Sequence, residues 1–143
     1  MWINLANVTL AKIQESGGLW VAERCPEEGA TYLTVWSAVA EDGDTLPKII
    51  EKMVVPHFIK LPRSTEARFR KFSEILSANP CNILVIKDAH LLSRHALPHA
   101  RRMAETFAPV VLCGDVLTIG AALLTHPSSI QHAQFCVDAV DVF

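Results

Sequence analysis

Three short apolar runs constrain this chain more than any other feature. Residues 82–88 read Asn-Ile-Leu-Val-Ile-Lys-Asp, residues 109–115 Pro-Val-Val-Leu-Cys-Gly-Asp, and residues 134–140 Gln-Phe-Cys-Val-Asp-Ala-Val. Continuous apolar runs of this length, rich in β-branched residues, suit strands covered on both faces of a sheet. Residues 18–23 and 57–61 are weaker strand candidates of the same kind. Between the runs, apolar residues recur at helical spacing. In residues 64–78, Phe69, Phe72, Ile75 and Leu76 fall on one side, Ser64 is placed to cap the start, and Asn79-Pro80 stops the helix. Leu97, Ala100, Met103, Ala104 and Phe107 form a second stripe, in a helix that starts near Ser93 or near Pro98. Residues 117–125 and 45–54 read as two more helices. Residues 31–39 suit a strand by propensity, or equally a fully buried helix.

Strand and helix in alternation predict an α/β fold. Its sheet is open and mostly parallel, of about five strands, with helices on both faces. At 143 residues, half of them hydrophobic, the chain is one domain able to bury a core without staples. Net charge is −2, so no global field draws it to nucleic acid or to a membrane. No stretch reaches the roughly 18 uninterrupted apolar residues of a membrane span. Met1-Trp2-Ile3-Asn4 lacks the basic start of a signal peptide. Cys25, Cys81, Cys113 and Cys136 are too far apart for a CxxC pair. They read as reduced, mostly buried thiols of a cytoplasmic protein. Ligands of parallel sheets bind beyond the carboxyl ends of the strands. The ends here, Glu23-Arg24, Lys87-Asp88 and Gly114-Asp115, turn polar as each apolar run stops.

Ile83-Leu84-Val85-Ile86-Lys87-Asp88-Ala89-His90 resembles the second ATPase motif of the AAA family of P-loop ATPases, four apolar residues followed by Asp-Glu-Ala-His. Val110-Val111-Leu112-Cys113-Gly114-Asp115 resembles that family's next strand, which ends in a polar sensor residue. The nearest branch holds the phage Mu B-type transposition ATPases and the ExeA-like ATPases. The likeness covers roughly residues 15–135 and is most specific over 83–115. It implies a P-loop arrangement, with the strand ending at Glu23 beside the one ending at Asp115. It also implies a phosphate loop, G-x-x-x-x-G-K-[ST], after the first strand.

At that place stands Arg24-Cys25-Pro26-Glu27-Glu28-Gly29-Ala30-Thr31. Pro26, Gly29 and Thr31 fit the pattern, and Thr31 remains able to begin a buried helix. Arg24 replaces the first glycine, Ala30 the phosphate-binding lysine, Lys87 the Mg²⁺-holding aspartate, and Asp88 the water-positioning glutamate. Glu27 and Glu28 bring negative charge where phosphates would sit. Phosphoryl transfer depends on positioning and charge stabilisation, so these changes together cost several powers of ten in rate. The vestigial nucleotide site therefore comprises Arg24, Pro26, Gly29, Ala30, Thr31, Lys87, Asp88 and Asp115, without a catalytic residue or metal and with room only for weak ATP or ADP binding. Lys87, at a strand end, is expected to pair with Asp88 or Asp115 and fill the space of the metal. The family's helical lid is expected to be missing, and residues 130–135 lack the arginine that acts across a subunit boundary.

Other constellations are weaker. His95 and His99 have helical i,i+4 spacing that suits a metal, with a solvated face as the plainer explanation. Lys60, Arg63, Arg68, Arg70 and Lys71 form a basic run that offers phosphate contact, hence DNA, or simply solubility. Trp20 and Trp36 belong in the core. The resemblance with its losses implies a pseudo-ATPase of phage or mobile-element origin that binds and modulates a protein partner, such as a working ATPase or that ATPase's client. A DNA-transposition ATPase with divergent motifs is the alternative.

Overall fold

A computed structural model describes residues 2–125 and 133–138. The elements, in chain order, are β1 (Trp2–Asn4), α1 (Leu10–Ser16), β2 (Leu19–Ala22), β3 (Thr34–Val39), α2 (Leu46–Val54), α3 (Thr65–Ser77), β4 (Asn82–Lys87), α4 (Ala100–Thr106), β5 (Val110–Cys113), α5 (Val116–Leu123) and β6 (Ala133–Val137). Six strands form one sheet in the order β1-β6-β2-β5-β4-β3. Every pairing is parallel. β2 lies directly beside β5, with Ala22 opposite Cys113.

Alternation along the strands divides the core into two layers. Leu19, Val21, Leu84, Ile86, Val110, Leu112, Ala133 and Phe135 face a layer built by α2, α3, α4 and α5. Trp20, Ala22, Ile83, Val85, Val111, Cys113 and Cys136 face the other way and are covered by Leu5, Val8, Leu10 and Ile13 of the N-terminal segment. The central strands are buried on both sides, which is why their sequences are continuously apolar.

Local chemistry fixes the element ends. Ser64 caps α3 by accepting from the Ala67 amide at 3.2 Å. Buried Asn82 accepts from Trp36 Nε1 at 3.0 Å and donates to the Leu76 and Asn79 carbonyls at 2.8 and 3.0 Å. It thereby pins the end of α3 to β3 and β4. Trp20 and Trp36 are both buried, as expected of core residues.

Several expectations change. Residues 31–39 resolve as the strand β3, paired along its whole length with β4. Residues 57–61 are not a strand: Val55–His57 forms a 3-10 turn, and Phe58 follows in the left-handed region at φ 58°. Pro56 has no amide to give a ladder, and Ile59 and Leu61 are only partly buried against the core. The sixth strand, β1, joins the far edge against β6. The second stripe splits into a 3-10 turn at Leu97–His99 and α4 from Ala100. His95 therefore lies outside a helix, and the i,i+4 geometry assumed for His95 and His99 is not formed. Among the described residues no group of three or more His, Cys, Asp or Glu could hold a metal ion. No described helix is long and apolar enough to cross a membrane.

Candidate functional site at the carboxyl ends of the strands

The segment leaving β2 carries most of the residues matched to a phosphate loop. It forms no helix at Thr31; the chain bends there and enters β3 at Thr34. Its carbonyls turn instead onto α1. The Leu10 amide donates to Glu27 O at 2.8 Å, and the Ala11 amide to Glu28 O at 2.9 Å. Thr9 Oγ1 accepts from the Lys12 amide at 3.2 Å, and Thr9 O from the Ile13 amide at 3.1 Å. The Leu10, Ala11 and Lys12 amides are the ones a helix start leaves without intrahelical partners apart from its N-cap, and Ile13 makes the first intrahelical bond. All are satisfied within the chain. α1 precedes β2 in sequence and presents its first turn toward the strand ends. The helix covering this face thus comes from upstream of β2, and its first turn is already closed by residues 27 and 28.

Gly29 makes that closure possible. Its φ is 77°, and a Cβ there would lie 2.6 Å from Thr9 Cβ and 2.8 Å from Thr9 Oγ1. Only glycine has both the backbone freedom and the absent side chain that this approach needs. Pro26 is buried, Ala30 half-buried and Thr31 exposed.

The charged residues are largely engaged with one another. Arg24 pairs with Asp138 at 3.2 Å, while Glu23 accepts from the Asp138 amide at 3.0 Å, tying the end of β2 to the end of β6. Asp115 caps α5, its carboxylate accepting from the Leu117 and Thr118 amides at 3.1 and 3.3 Å. Hydrogen bonds from Thr118 hold the Asp115 carboxyl below the usual aspartate range. The Asp115 amide in turn donates to His90 Nδ1 at 3.3 Å, which locks the loops after β4 and β5 together. Gly114 allows this approach, since a Cβ there would stand 2.5 Å from His90 Nδ1.

Lys87 departs from expectation. It is exposed and forms no ion pair among the described residues. The carboxylate expected to receive it, that of Asp115, is already held by α5. The alternative, Asp88, starts a left-handed turn at φ 53°. The Lys87 charge acts instead on the thiols of Cys25 and Cys113.

No protein-family model, curated protein or solved structure gives a significant match to this chain.

A second charged group, missed from sequence, lies over the ends of β3 and β4. Asp44 is only 3% exposed. Its carboxylate meets Lys52 at 2.6 Å and Lys48 at 3.8 Å, and accepts from the Glu41 amide at 2.9 Å. Lys52 also donates to Val39 O at 3.0 Å. The acidic turn before α2 hinted at this, but Lys52 reaches it only once α2 folds back. Burial opposes ionisation of Asp44, yet hydrogen bonds from Lys52 and the Glu41 amide outweigh it and hold the carboxyl below its ordinary range.

Two members of the basic run are engaged within the chain. Arg68 clamps α3 to α2, donating to Pro62 O at 2.8 Å and pairing with Glu51 at 3.1 Å. Arg70 pairs with Glu66 at 3.6 Å. Lys60, Arg63 and Lys71 are exposed. Elsewhere, Leu46, Phe69, Met103 and Phe107, with His99 and Arg102, line a cleft of about 370 Å³ among α2, α3 and α4.

Proposed function

We propose that this chain is a pseudo-ATPase: an ATPase-like α/β domain that acts as a binding module and modulates a protein partner. The observation that carries the loss of catalysis is the closure of α1. A phosphate loop works by turning free backbone amides toward anions. Here the Glu27 and Glu28 carbonyls turn inward onto α1. Ala30 offers no cation, and Lys87 is a cation where Mg²⁺ would need a carboxylate. The ATPase ancestry is supported by the adjacency of β2 and β5 and by the polar ends of β2, β4 and β5 at one edge.

An apolar surface supports a protein partner. Trp2, Leu117 and Leu124 are 54%, 78% and 61% exposed. They border one cleft with Val116, Gly120 and Phe135 beside the edge strand β1. Grouped exposed apolar side chains of this kind commonly mark association surfaces. A working ATPase or its client, in a phage or mobile-element setting, is the partner this ancestry favours.

The test has two arms. Calorimetry with ATP and ADP, with and without Mg²⁺, is expected to show no micromolar binding. A partner that co-purifies from the native cell is expected to be lost with Leu117→Glu and retained with Lys60→Glu. Micromolar, Mg²⁺-dependent ATP affinity, or ATP turnover that Lys87→Ala abolishes, would overturn the proposal. Either result would favour a DNA-transposition ATPase with divergent motifs.

A further inference from the structure

The same strand ends bring together two thiols that none of the preceding function uses. β2 and β5 are neighbours, and their last paired residues are Ala22 and Cys113. The chain leaving β2 places Cys25 against the cluster that contains Cys113. Each thiol is the strongest single influence on the ionisation of the other. Cys113 is buried, whereas Cys25 is partly open to solvent. Ile86 pairs with Leu112, which puts Lys87 level with Cys113 one strand away. Cys136 shares the layer but lies across Ala22 on β6. Two strand spacings, about 9–10 Å, separate it from Cys113, beyond disulfide reach. Cys81 precedes β4 at the opposite edge of the sheet.

We propose that Cys25 and Cys113 form a peroxide-reactive dithiol, which is oxidised in place to an intramolecular disulfide. Cys25 is the nucleophile and Cys113 the resolving thiol. The hydrogen bond from Cys113 brings the Cys25 thiol down to about 7; Lys87 assists, while burial and Glu28 oppose. The same hydrogen bond, together with burial, pushes the Cys113 thiol up, with Asp88 adding to the rise and Lys87 opposing it. The proton of the pair therefore stays on Cys113. When Cys25 is protonated, its S–H donates to the Pro26 carbonyl at 3.4 Å.

The reaction balances with a hydroperoxide as oxidant. The Cys25 thiolate attacks one peroxide oxygen, the O–O bond breaks, and hydroxide leaves to be protonated as water. Cys25 is then a sulfenic acid. The Cys113 sulfur attacks the Cys25 sulfur, the S–O bond breaks, and the departing hydroxide takes the Cys113 proton as a second water. Two thiols lose two electrons and one peroxide gains them. The product ties residues 24–31 to β5, the strand next to the one from which they emerge.

The full chain, reduced and then treated with one equivalent of hydrogen peroxide, is quenched with N-ethylmaleimide and mapped by mass spectrometry. The expected product has lost two hydrogens, links the peptides of Cys25 and Cys113, and is alkylated at Cys81 and Cys136. In Cys113→Ala, dimedone is expected to trap a sulfenic acid on Cys25. Alkylation of Cys25 at pH 7 should fall about fivefold in that variant, because the thiolate fraction drops more than nucleophilicity rises. The proposal is overturned if wild-type Cys25 accumulates as sulfenic or sulfinic acid without a cross-link. It is equally overturned if Cys81 or Cys136 supplies the second sulfur, or if one equivalent of peroxide leaves Cys25 fully alkylatable. The wild-type map decides the matter even if Cys113→Ala fails to fold.

Discussion

Gly29→Ala tests the contact on which the closed loop depends. The left-handed backbone at φ 77° costs an alanine about 1 kcal/mol. The added methyl would stand 2.6 Å from Thr9 Cβ and 2.9 Å from Thr9 Cγ2. Rotation about χ1 moves Cγ2 but not Cβ, the branch point, so the closest contact cannot be relieved without moving the Thr9 backbone. Relief therefore requires the loop to lift off α1. Lifting breaks the Leu10–Glu27 and Ala11–Glu28 hydrogen bonds, each contributing about 0.5–1.5 kcal/mol. With part of the Thr9 cap lost as well, the total is about 2–4 kcal/mol. Urea unfolding should show a midpoint about 1–2 M lower. In a Thr9→Gly background, which removes Cβ together with Oγ1 and Cγ2, the steric component disappears and the cost should fall toward about 1 kcal/mol, so the double-mutant cycle reports a clear coupling. A loss below about 0.5 kcal/mol for Gly29→Ala alone would mean that the loop does not rest on Thr9, and the account of the closed first turn would fail with it.

Two other outcomes follow from the same geometry. Asp44→Asn should destabilise the fold by about 1–3 kcal/mol at neutral pH, the lower part of the range being favoured because Lys52 is partly exposed. The folded Asp44 carboxyl lies below its unfolded value, so its contribution is present above that value, near pH 3.9, and is lost as pH falls through the folded pKa; urea midpoints of wild type and variant should accordingly converge in acid, and a gap that persists undiminished would refute the assignment. Ala30→Lys combined with Lys87→Asp should not create Mg²⁺-ATP binding, since no helix starts at Thr31 and the first turn of α1 stays closed; submillimolar affinity by calorimetry would show that charge alone had been missing.

The legible part of this fold was the part buried on both sides. β4 and β5 announce themselves because a strand between two apolar layers leaves no polar position to interrupt the run. β3 was ambiguous because its burial is uneven: Trp36 and Ala38 are buried, while Ser37 and Val39 are exposed. Its register with β4 decides the matter, and pairing partners are not written in local sequence. β1 has only three residues and α1 buries only Leu10 and Ile13, too little periodicity to read. Thr9 ahead of Leu10 was a capping signal within reach. Residues 57–61 failed in the opposite direction, since apolar content there reflects single contacts rather than a ladder. The polar ends of the strands were legible as one edge of the sheet. What sits together there did not follow. Arg24 finds Asp138 only because β6 lies beside β2, and Cys25 meets Cys113 only because β5 lies on the other side. Lys87 was matched with Asp88 or Asp115 without reference to the α5 amides that claim the Asp115 carboxylate.

The position of β2 also governs the order in which the chain can assemble. Leu19 pairs with Val110 on one side and with Ala133 on the other. Both neighbours emerge from the ribosome long after β2 does, whereas β3 and β4 can pair as soon as α3 has been made. Four consecutive residues that end buried, Trp20 among them, must therefore wait unpaired until β5 and β6 have been made. Closing loops of that length delays the sheet centre more than it weakens it, since closure entropy grows only slowly with length. During that interval the nascent chain displays an apolar strand with both edges open, the form most prone to pair with a stranger. The hazard lies in how late the centre of this sheet is completed, and it would be met by whatever shields the first two dozen residues while the last strands are still being made.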